Sequence, residues 1–516
     1  MLKAFLFLLF TTITSTQPTG GDIEKSFAIS VNSMTPLLDV EKQLIEILEN
    51  YLEKLERKVD LLKNLAAKMT ADNFESLEDP EGYVSNPLNS FRLIRRLQRD
   101  WINIESFMIQ QEGEEYLEAM EVYHKQMPTA TDLEDAANGI YRLQTVYDLE
   151  IDAMSDGILN GKQYKYRLSS LDRFTMGVHL FHQKHYYHAC FWLYSSLISY
   201  RNHSINRILD FKKAKIFELY AEALMQQNRP KDALVAITNA VELESFNIRL
   251  LKRKNDIETL AKIHITDALE YKKIEPDFLQ LGCRGNISNI PSKLHCIYNT
   301  KTTSFLRLAP LKMEFLSDDP YMVLYHDVLT DREILTLKDL GKTNLKRATI
   351  FDKSQLKNTI NKDRIAKYSW LPHDNTSTTQ IIAERIGDMT GLNISGSEPL
   401  QIMNYGLGGH FGEHYDFFNL TENTYFTDTY SQGDRIVTVL FYMSDVEQGG
   451  NTVFPYMRTV VSPKKGTALV WYNLNNKLIG DWRTQHAACP VLVGSKWVLT
   501  KWINSMPQIF TKPCYS

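Results

Sequence analysis

A regular alternation of apolar and charged residues near the start of the chain predicts a long helix. Between Asp39 and Met69, apolar residues recur at every third or fourth position, with Glu and Lys between them and no Pro or Gly. This period places the apolar residues on one face of an α-helix. Because the spacing is close to a heptad seam, the face either mediates self-association or packs within its own helical domain. The face consists of Leu44, Leu48, Leu52, Leu55, Val59 and Leu62.

A weak internal repeat in residues 172–250 predicts two helix–turn–helix pairs. The first copy reads "DRFTMGVHLFHQKHYYHACFWLYSSLI", and the second reads "AKIFELYAEALMQQNRPKDALVAITNAVELE". The second copy is close to the tetratricopeptide pattern because small residues stand where paired helices approach each other. Such helix pairs form surfaces that hold extended peptides, so we expect this block to bind a peptide. The small residues are Ala221, Ala223, Ala233 and Ala240.

Four histidines in the first copy are spaced by threes and invite interpretation as a metal site. Each step of three residues on an α-helix drifts by about 60°, so the four side chains cannot share one face. The segment "QKHYY" also reads as the turn between two helices. A metal site here is therefore the weaker interpretation. The histidines are His179, His182, His185 and His188.

After Pro310 the pattern changes from helical to β-rich. Short runs rich in Val, Thr, Phe, Tyr and Trp are separated by Gly, Asn and Asp turns, which predicts a jelly-roll or barrel-like double sheet. Two segments, "REILTLKDLGK" and "STTQIIAERIGDMTG", predict helices packed against it. The predicted fold class is α+β multidomain, with an all-α N-terminal part followed by a double-stranded β-helix (jelly roll).

The first residues, "MLKAFLFLLFTTITSTQPTGG", have the layout of a secretory signal peptide. A short buried helix is the alternative interpretation. No later segment approaches the roughly 18 apolar residues that span a bilayer, so we expect no membrane span. The net charge of −4 gives no electrostatic reason to expect nucleic acid as a partner.

Sequons and cysteines agree with an oxidising secretory compartment. Cys283 and Cys296 enclose a short polar loop, and Cys489 and Cys514 bracket the C-terminal segment, which predicts two local disulfides. Cys190 is left over in an aromatic stretch, where we expect a buried apolar role. Five N-x-S/T sequons mark the chain as a candidate glycoprotein, at Asn202, Asn286, Asn375, Asn393 and Asn419.

One H-x-D tripeptide, His414-Tyr415-Asp416, is the candidate start of a metal site. On a strand, residues two apart face the same way, so His414 and Asp416 would point to one place. His486 lies just before an apolar strand pattern that an antiparallel double sheet brings nearby. Two histidines and one carboxylate form the facial triad of non-haem Fe(II) oxygenases, which leaves positions open for a 2-oxo acid and O₂.

Lys496 lies in an otherwise apolar strand pattern, "VLVGSKWVLTKW". A lysine is expensive to bury unless it meets an anion, so Lys496 is the candidate partner of a co-substrate carboxylate. Lys501 has the opposite parity along the strand and is expected to face elsewhere. Lys464 and Lys465 lie in a Pro/Gly turn and are expected to be solvated.

Several longer segments resemble the catalytic domain of the collagen prolyl 4-hydroxylase alpha subunits. They read "YGLGGHFGEHYDFF", "RIVTVLFYMSDVEQGGNTVFP", "PKKGTALVWYNL" and "HAACPVLVGSKWV", and the likeness extends over nearly the whole chain. The resemblance implies that His414, Asp416 and His486 bind Fe(II). It also implies that Lys496 pairs with the distal carboxylate of 2-oxoglutarate and that Tyr405 contacts the same co-substrate.

The resemblance further implies C4 hydroxylation of peptidyl proline in procollagen-like or other proline-rich secretory proteins, coupled to decarboxylation of 2-oxoglutarate to succinate and CO₂. L-ascorbate (vitamin C) would keep the iron ferrous. The expected partner is protein disulfide isomerase, in an α2β2 tetramer in the lumen of the endoplasmic reticulum. The alternative is a non-catalytic secretory peptide-binding subunit that keeps the dioxygenase fold.

The resemblance and the patterns together predict five regions. They also place the largest departure from the family in the peptide-binding block. Tyr187, Tyr194 and Tyr220 are candidate groove aromatics, although packing within the helices is the favoured interpretation of each. The basic segment "FNIRLLKRKND" is either a solvated helix face or part of the groove, and in the second case it favours acidic or other non-collagen substrates. Asn504 stands where the family carries a histidine. The regions are a signal peptide (1–17), a helical domain and candidate for dimerisation (18–135), a tetratricopeptide-like peptide-binding domain (136–255), a linker with a disulfide loop (256–310) and the dioxygenase catalytic domain (311–516).

Overall fold

A computed structural model describes residues 26–263, 275–287, 295–352, 357–418 and 431–509 of the protein. Of residues 72, 75, 263, 350–352, 357 and 358 it describes the backbone alone. The predicted signal peptide, Asn419 and Cys514 lie outside the described residues. Within them, no helix is both long enough and apolar enough to cross a membrane.

The N-terminal half of the described chain is mainly helical, and three further α-helices, α14 to α16, accompany the C-terminal sheets. The helices are α1 (Val31–Glu78), α2 (Pro80–Ser85), α3 (Pro87–Arg95), α4 (Trp101–Ile109), α5 (Glu114–His124), α6 (Ala130–Tyr147), α7 (Ile151–Ser155), α8 (Ser170–His182), α9 (Tyr186–Ser199), α10 (Ile205–Ile208), α11 (Lys213–Gln226), α12 (Pro230–Leu243), α13 (Ile248–Ile263), α14 (Phe278–Cys283), α15 (Asp331–Lys342) and α16 (Ser377–Thr390).

The strands lie almost entirely in the C-terminal part. They are β1 (Ile158–Leu159), β2 (Lys162–Gln163), β3 (Cys296–Asn299), β4 (Leu311–Asp318), β5 (Tyr321–His326), β6 (Lys346–Arg347), β7 (Ile350–Asp352), β8 (Lys357–Thr359), β9 (Lys367–Leu371), β10 (Leu400–Asn404), β11 (Phe411–His414), β12 (Arg435–Tyr442), β13 (Gln448–Gly449), β14 (Thr452–Phe454), β15 (Thr459–Val461), β16 (Ala468–Tyr472), β17 (His486–Ala488), β18 (Val491–Val493) and β19 (Trp497–Asn504).

Two antiparallel sheets build the catalytic part. The larger sheet has the strand order β3-β4-β5-β16-β12-β19-β10-β9-β6, and the smaller has the order β11-β17-β14-β15. Strand β19 is buried along its whole length and pairs with both β10 and β12. One apolar core lies beneath α15 and α16, whose buried faces include Ile334, Leu337, Ile382 and Ile386. These elements confirm the predicted fold class, an all-helical part followed by a sheet-rich jelly-roll part.

The predicted long helix is confirmed as α1, and it is longer than the pattern indicated. The side chain of Ser30 caps it by accepting a hydrogen bond from the amide of Ser33, which satisfies one of the free donors at the helix start. The predicted apolar face is not buried within the described chain, since Leu48 and Leu52 are 50% and 48% exposed. The predicted domain boundary at residues 135/136 falls inside α6.

The repeat block forms two helical hairpins, α8–α9 and α11–α12, as the pattern predicted. Their assignment as tetratricopeptide units stays a prediction. The segment of the four histidines contains the predicted turn, because α8 ends at His182 and α9 begins at Tyr186. His179 Nε2 lies 3.0 Å from Asn138 Oδ1, and His188 Nδ1 lies 3.2 Å from the Tyr141 hydroxyl, so both have ordinary hydrogen-bond partners.

The predicted pairing of Cys283 with Cys296 is wrong, and so is that of Cys489 with Cys514. The structure joins Cys283 to Cys489, with 5.5 Å between the Cα atoms. Helix α14 packs against β14, where Gly282 faces Val453, and this contact carries Cys283 to the end of β17. Cys296 lies exposed on β3 and Cys190 is buried, both as free thiols. Sequence spacing pointed to local loops because it contains no information on this contact between distant segments.

Candidate functional site

Three side chains with metal-binding groups meet at the edge of the smaller sheet that β11 forms. Strand β11 pairs antiparallel with β17 so that His414 lies directly opposite His486. Asp416 follows two residues after the end of β11, in a bend and not on the strand as predicted. The ligand atoms of His414, Asp416 and His486 all lie within 4.8 Å of one another. No other group of three such side chains with this spacing occurs in the described part of the chain.

Hydrogen bonds orient both imidazole rings toward the carboxylate. His414 Nδ1 lies 2.8 Å from the Gly412 carbonyl, and His486 Nδ1 lies 3.0 Å from the Thr484 carbonyl. Because a carbonyl only accepts, each Nδ1 carries the proton and each Nε2 presents its lone pair. The Nε2 atoms lie 3.6 and 3.7 Å from the two oxygens of Asp416. Both rings are thus fixed in the tautomer that binds a metal through Nε2.

The Asp416 carboxylate is buried and held in its charged form. Burial by itself raises the pKa of Asp416, but His486, His414 and Arg435 outweigh burial and lower it overall. Asp416 Oδ2 also accepts a 2.7 Å hydrogen bond from the Thr438 hydroxyl, which in turn accepts one from Asn473 Nδ2 at 2.9 Å. The carboxylate is therefore an anion with a fixed orientation at neutral pH.

His486 is neutral over the same pH range. Burial, followed by the neighbouring His414, lowers the pKa of His486 to about 4. The ring stacks on Phe454, with 5.2 Å between centroids, and meets the edge of Trp471 at 4.8 Å. Aromatic packing leaves the ring one orientation and keeps its Nε2 available to a cation.

The candidate co-substrate lysine faces the same cavity. Lys496 is 1% exposed, and its Nζ donates a 2.6 Å hydrogen bond to the Gly450 carbonyl. Nζ also lies 5.1 Å from the centre of the Tyr405 ring. Burial lowers the pKa of Lys496 to about 7, and no carboxylate of the described residues lies within ion-pair distance of it. An anionic partner would offset the cost of burying this lysine.

Lys501 takes the opposite direction, as its parity on β19 predicted. Its Nζ lies 2.8 Å from His373 Nε2 and donates to the Glu398 carbonyl. Lys465 pairs with Asp331 at the surface, as expected for a lysine in a turn. Asn504 donates from Nδ2 to the Gly433 carbonyl at 3.0 Å.

Three further residues line the cavity, and the sequence analysis did not single them out. Arg364 Nε, Trp471 Nε1 and Trp502 Nε1 are buried N–H groups with no acceptor among the described residues. Two other nitrogens of Arg364 are paired, with the Gln401 side chain at 2.8 Å and the Thr349 carbonyl at 3.2 Å. Their sequence signal was weak because Trp471 and Trp502 belong to ordinary strand patterns and Arg364 lies in the connection before β9. Only the folded sheets show that the three residues share a cavity.

The residues present fit a divalent metal with a carboxylate-bearing ligand beside it. Two imidazoles and one carboxylate on one side of a point are the donor set of a mononuclear iron site. Lys496 and the three residues with these N–H groups line the same cavity, where they would be donors to an anionic molecule. The sequence predicted three candidate ligands and a candidate co-substrate lysine, and the structure brings all four side chains into one cavity together with Tyr405.

Comparisons with known proteins match both halves of the chain. The sequence profile "Prolyl 4-Hydroxylase alpha-subunit, N-terminal region" matches residues 30–161, and that of the 2OG-Fe(II) oxygenase superfamily matches residues 400–504. The chain is 33% identical to prolyl 4-hydroxylase subunit alpha-2 of Gallus gallus and 34% identical to subunit alpha-1 of Homo sapiens, with 95% of each chain covered in both cases.

A nematode relative gives the same result. Prolyl 4-hydroxylase subunit alpha-2 of Caenorhabditis elegans is 35% identical, over 94% of this chain and 92% of the relative. Identity at this level along nearly the whole length covers the helical part and the sheet-rich part alike. The chain therefore belongs to the prolyl 4-hydroxylase alpha-subunit family.

Proposed function

We propose that this chain is the catalytic subunit of a prolyl 4-hydroxylase that depends on Fe(II) and 2-oxoglutarate. It hydroxylates C4 of peptidyl proline in procollagen-like or other proline-rich secretory proteins and converts 2-oxoglutarate to succinate and CO₂. One observation carries the proposal: His414, Asp416, His486 and the buried Lys496, which has no carboxylate of the described residues as a partner, line a single cavity. The work of the helical repeats is to hold the peptide.

The protein residues bind, orient and exclude water. The iron would be held by His414, Asp416 and His486. When bound, it supplies the oxidation chemistry, with ascorbate as the reductant that keeps it ferrous. Lys496 binds the distal carboxylate of 2-oxoglutarate, and Tyr405 borders it. Phe454, Trp471 and the apolar wall keep water away, which strengthens the attraction between the lysine and its anion.

The pH dependence of 2-oxoglutarate binding follows from Lys496. Because burial lowers its pKa to about 7, the free lysine loses its proton as the pH rises above 7, while binding of the dianion needs the protonated form. We expect the Kd for 2-oxoglutarate to rise with pH, and the increase should approach about tenfold per pH unit above pH 7. Calorimetry with Mn(II) in place of iron measures it.

The matched variant for this prediction is Lys496→Arg, whose guanidinium stays charged. Its Kd for 2-oxoglutarate should be higher than that of the natural chain at pH 7 but nearly constant with pH. A Kd for the natural chain that does not change between about pH 6 and pH 9 would contradict the assigned role.

A groove between α9, α11 and α12 is the proposed peptide surface. Tyr194, Phe217 and Tyr220 line it, and the two tyrosine rings lie 6.0 Å apart. Aromatic surfaces of this kind hold proline-rich chains in their extended polyproline II form, which is cheap to order. Of the predicted groove aromatics, Tyr187 does not line this groove and packs on Phe191.

The basic stretch on α13 is paired and does not present a bare positive surface. Arg249 and Arg253 form ion pairs with Glu218 and Glu222 of α11, and Arg253 Nε lies 2.5 Å from its partner oxygen. Because two of the four basic side chains are neutralised in this way, a preference for acidic substrates loses its main support. Proline-rich peptides without an acidic bias are the proposed substrate class.

Removing groove aromatics should weaken peptide binding without touching the co-substrate. We expect Tyr220→Ala to raise the KM for a proline-rich peptide by about threefold to tenfold, the effect of one lost aromatic contact. The KM for 2-oxoglutarate should not change. Tyr187→Ala is the control, since it removes a tyrosine of α9 outside the groove. If Tyr220→Ala and Tyr187→Ala had the same KM for peptide, the peptide would not bind in this groove.

Assembly and location complete the proposal. The exposed apolar face of α1 supports self-association of the chain, and protein disulfide isomerase is the proposed second subunit, in an α2β2 tetramer. The proposed location is the lumen of the endoplasmic reticulum. The predicted signal peptide and the sequons support this location.

The direct test is product analysis with the full chain co-expressed with protein disulfide isomerase. Proline-rich peptides are incubated with Fe(II), ascorbate and 2-oxoglutarate, and mass spectrometry locates added oxygen. We expect 4-hydroxyproline in at least one peptide. The alternative, a non-catalytic peptide-binding subunit, would bind peptides and yield no hydroxylated product. It has less support because every residue of the metal group and Lys496 are in place.

A further inference from the structure

The residues just before α1 lie across the loop that follows β10. The Ala28 carbonyl accepts a 2.9 Å hydrogen bond from the Leu407 amide, and the Val31 amide donates to the Tyr405 carbonyl at 3.4 Å. Ala28, Ile29 and Ser30 are buried, although they come from the opposite end of the chain. The N-terminal segment 27–32 therefore packs on the loop that begins with Tyr405, a residue that lines the cavity.

A single buried amide connects this segment to the co-substrate lysine. Asn404 Oδ1 accepts hydrogen bonds from the Ser30 hydroxyl at 2.6 Å and from the Asn32 amide at 3.1 Å. Asn404 Nδ2 donates to the Lys496 carbonyl at 3.2 Å and to the Ser495 hydroxyl at 3.4 Å. The Tyr405 amide donates to the same Lys496 carbonyl at 3.1 Å. The amide oxygen of Asn404 thus binds the N-terminal segment, and its amide nitrogen binds the segment that contains Lys496.

The loop after β10 is closely packed against the N-terminal segment and against α6. A Cβ on Gly406 would lie 2.2 Å from the Ala28 carbonyl oxygen, so only glycine allows the N-terminal segment to approach this closely. On the other side, Arg142 of α6 donates to the Gly408 carbonyl at 2.7 Å. The loop that begins with Tyr405 is therefore held from two sides by the helical part of the chain.

We propose that segment 27–32 positions the co-substrate pocket, with Ser30 and Asn404 as the positioning residues. Through Asn404, the Ser30 hydroxyl sets the backbone at Lys496 and Tyr405, and so the place of the lysine Nζ and the tyrosine ring. Partners one step behind a ligand-binding residue commonly change affinity by about tenfold or more when lost. The inference rests on the proposed function, because it assigns 2-oxoglutarate to Lys496.

Steady-state kinetics of the full chain with its isomerase partner test the proposal. The variant is Ser30→Gly, because glycine is an accepted N-cap and the start of α1 survives loss of the hydroxyl. We expect its KM for 2-oxoglutarate to rise about tenfold, with kcat and the KM for peptide unchanged. Ser30→Thr keeps a hydroxyl and should restore the natural KM. Ser33→Ala, one turn further along α1, leaves both hydrogen bonds to Asn404 in place and should behave as the natural chain.

Two results would overturn the inference. A natural KM for 2-oxoglutarate in Ser30→Gly would show that the segment does not position the pocket. A parallel change in kcat and both KM values, not restored by Ser30→Thr, would show a general structural role. Failure of the natural chain to hydroxylate any peptide is a separate outcome, because it rejects the proposed function before the variants are compared.

Discussion

Replacing Asp416 by asparagine is expected to lower kcat/KM by about a thousandfold or more, which corresponds to the several kcal/mol that a bound metal contributes to such a reaction. The introduced amide has nearly the shape of the natural carboxylate, so the fold should persist. The charge that balances a divalent cation between His414 and His486 would be gone. Iron content of the purified chain should fall together with turnover.

The matched control for this variant is Asp327→Asn. Asp327 belongs to the same sheet-rich part but forms a surface ion pair with Lys312. Surface pairs of this kind contribute little, so activity and iron content should stay at the natural level. An Asp416→Asn chain that kept more than about a tenth of the natural activity would rule out Asp416 as a metal ligand.

Replacing Lys496 by alanine should have the second largest effect, on the KM for 2-oxoglutarate. Removing one member of a buried charge pair costs about 2–5 kcal/mol, so KM should rise by about thirtyfold or more. The KM for peptide should change much less. Initial rates at varied 2-oxoglutarate, with peptide saturating, measure the effect. Lys464→Ala removes a lysine in the exposed turn before β16 and is the control.

A second lysine variant separates binding from folding. Lys501 of β19 is buried like Lys496, but it contacts His373 and Glu398 and does not line the cavity. Lys501→Met should lower the melting temperature and leave the KM for 2-oxoglutarate unchanged. If Lys496→Ala and Lys501→Met raised this KM equally, the effect would come from damage to β19 and not from a lost carboxylate contact.

Local patterns predicted the elements of this fold well because each has its own period. The amphipathic period located α1, and the alternation of sides along an extended segment separated Lys496, just before β19, from Lys501 on that strand. The H-x-D tripeptide and His486 identified the candidate ligands. The candidate ligands and Lys496 share a polar or charged side chain whose burial costs free energy unless it has a partner. Such side chains can be found in a sequence because they stand within apolar strand patterns.

Contacts between distant segments could not be predicted in this way. The Cys283–Cys489 disulfide and the contact of Ser30 with Asn404 join residues 206 and 374 positions apart. Nothing in the spacing of these residues distinguishes their true partners from others. Arg364 was missed for the same reason, since its role in the cavity depends on which strands are neighbours.

Anaerobic titration of the purified chain with Fe(II) and 2-oxoglutarate tests the central claim most directly. When a 2-oxo acid chelates ferrous iron, a charge-transfer absorption appears in the visible range that neither component shows alone. We predict this absorption for the natural chain at one equivalent of each component, and its loss in His486→Ala. Its absence from the natural chain, or an unchanged absorption in His486→Ala, would contradict a single iron and 2-oxoglutarate site built from His414, Asp416, His486 and Lys496.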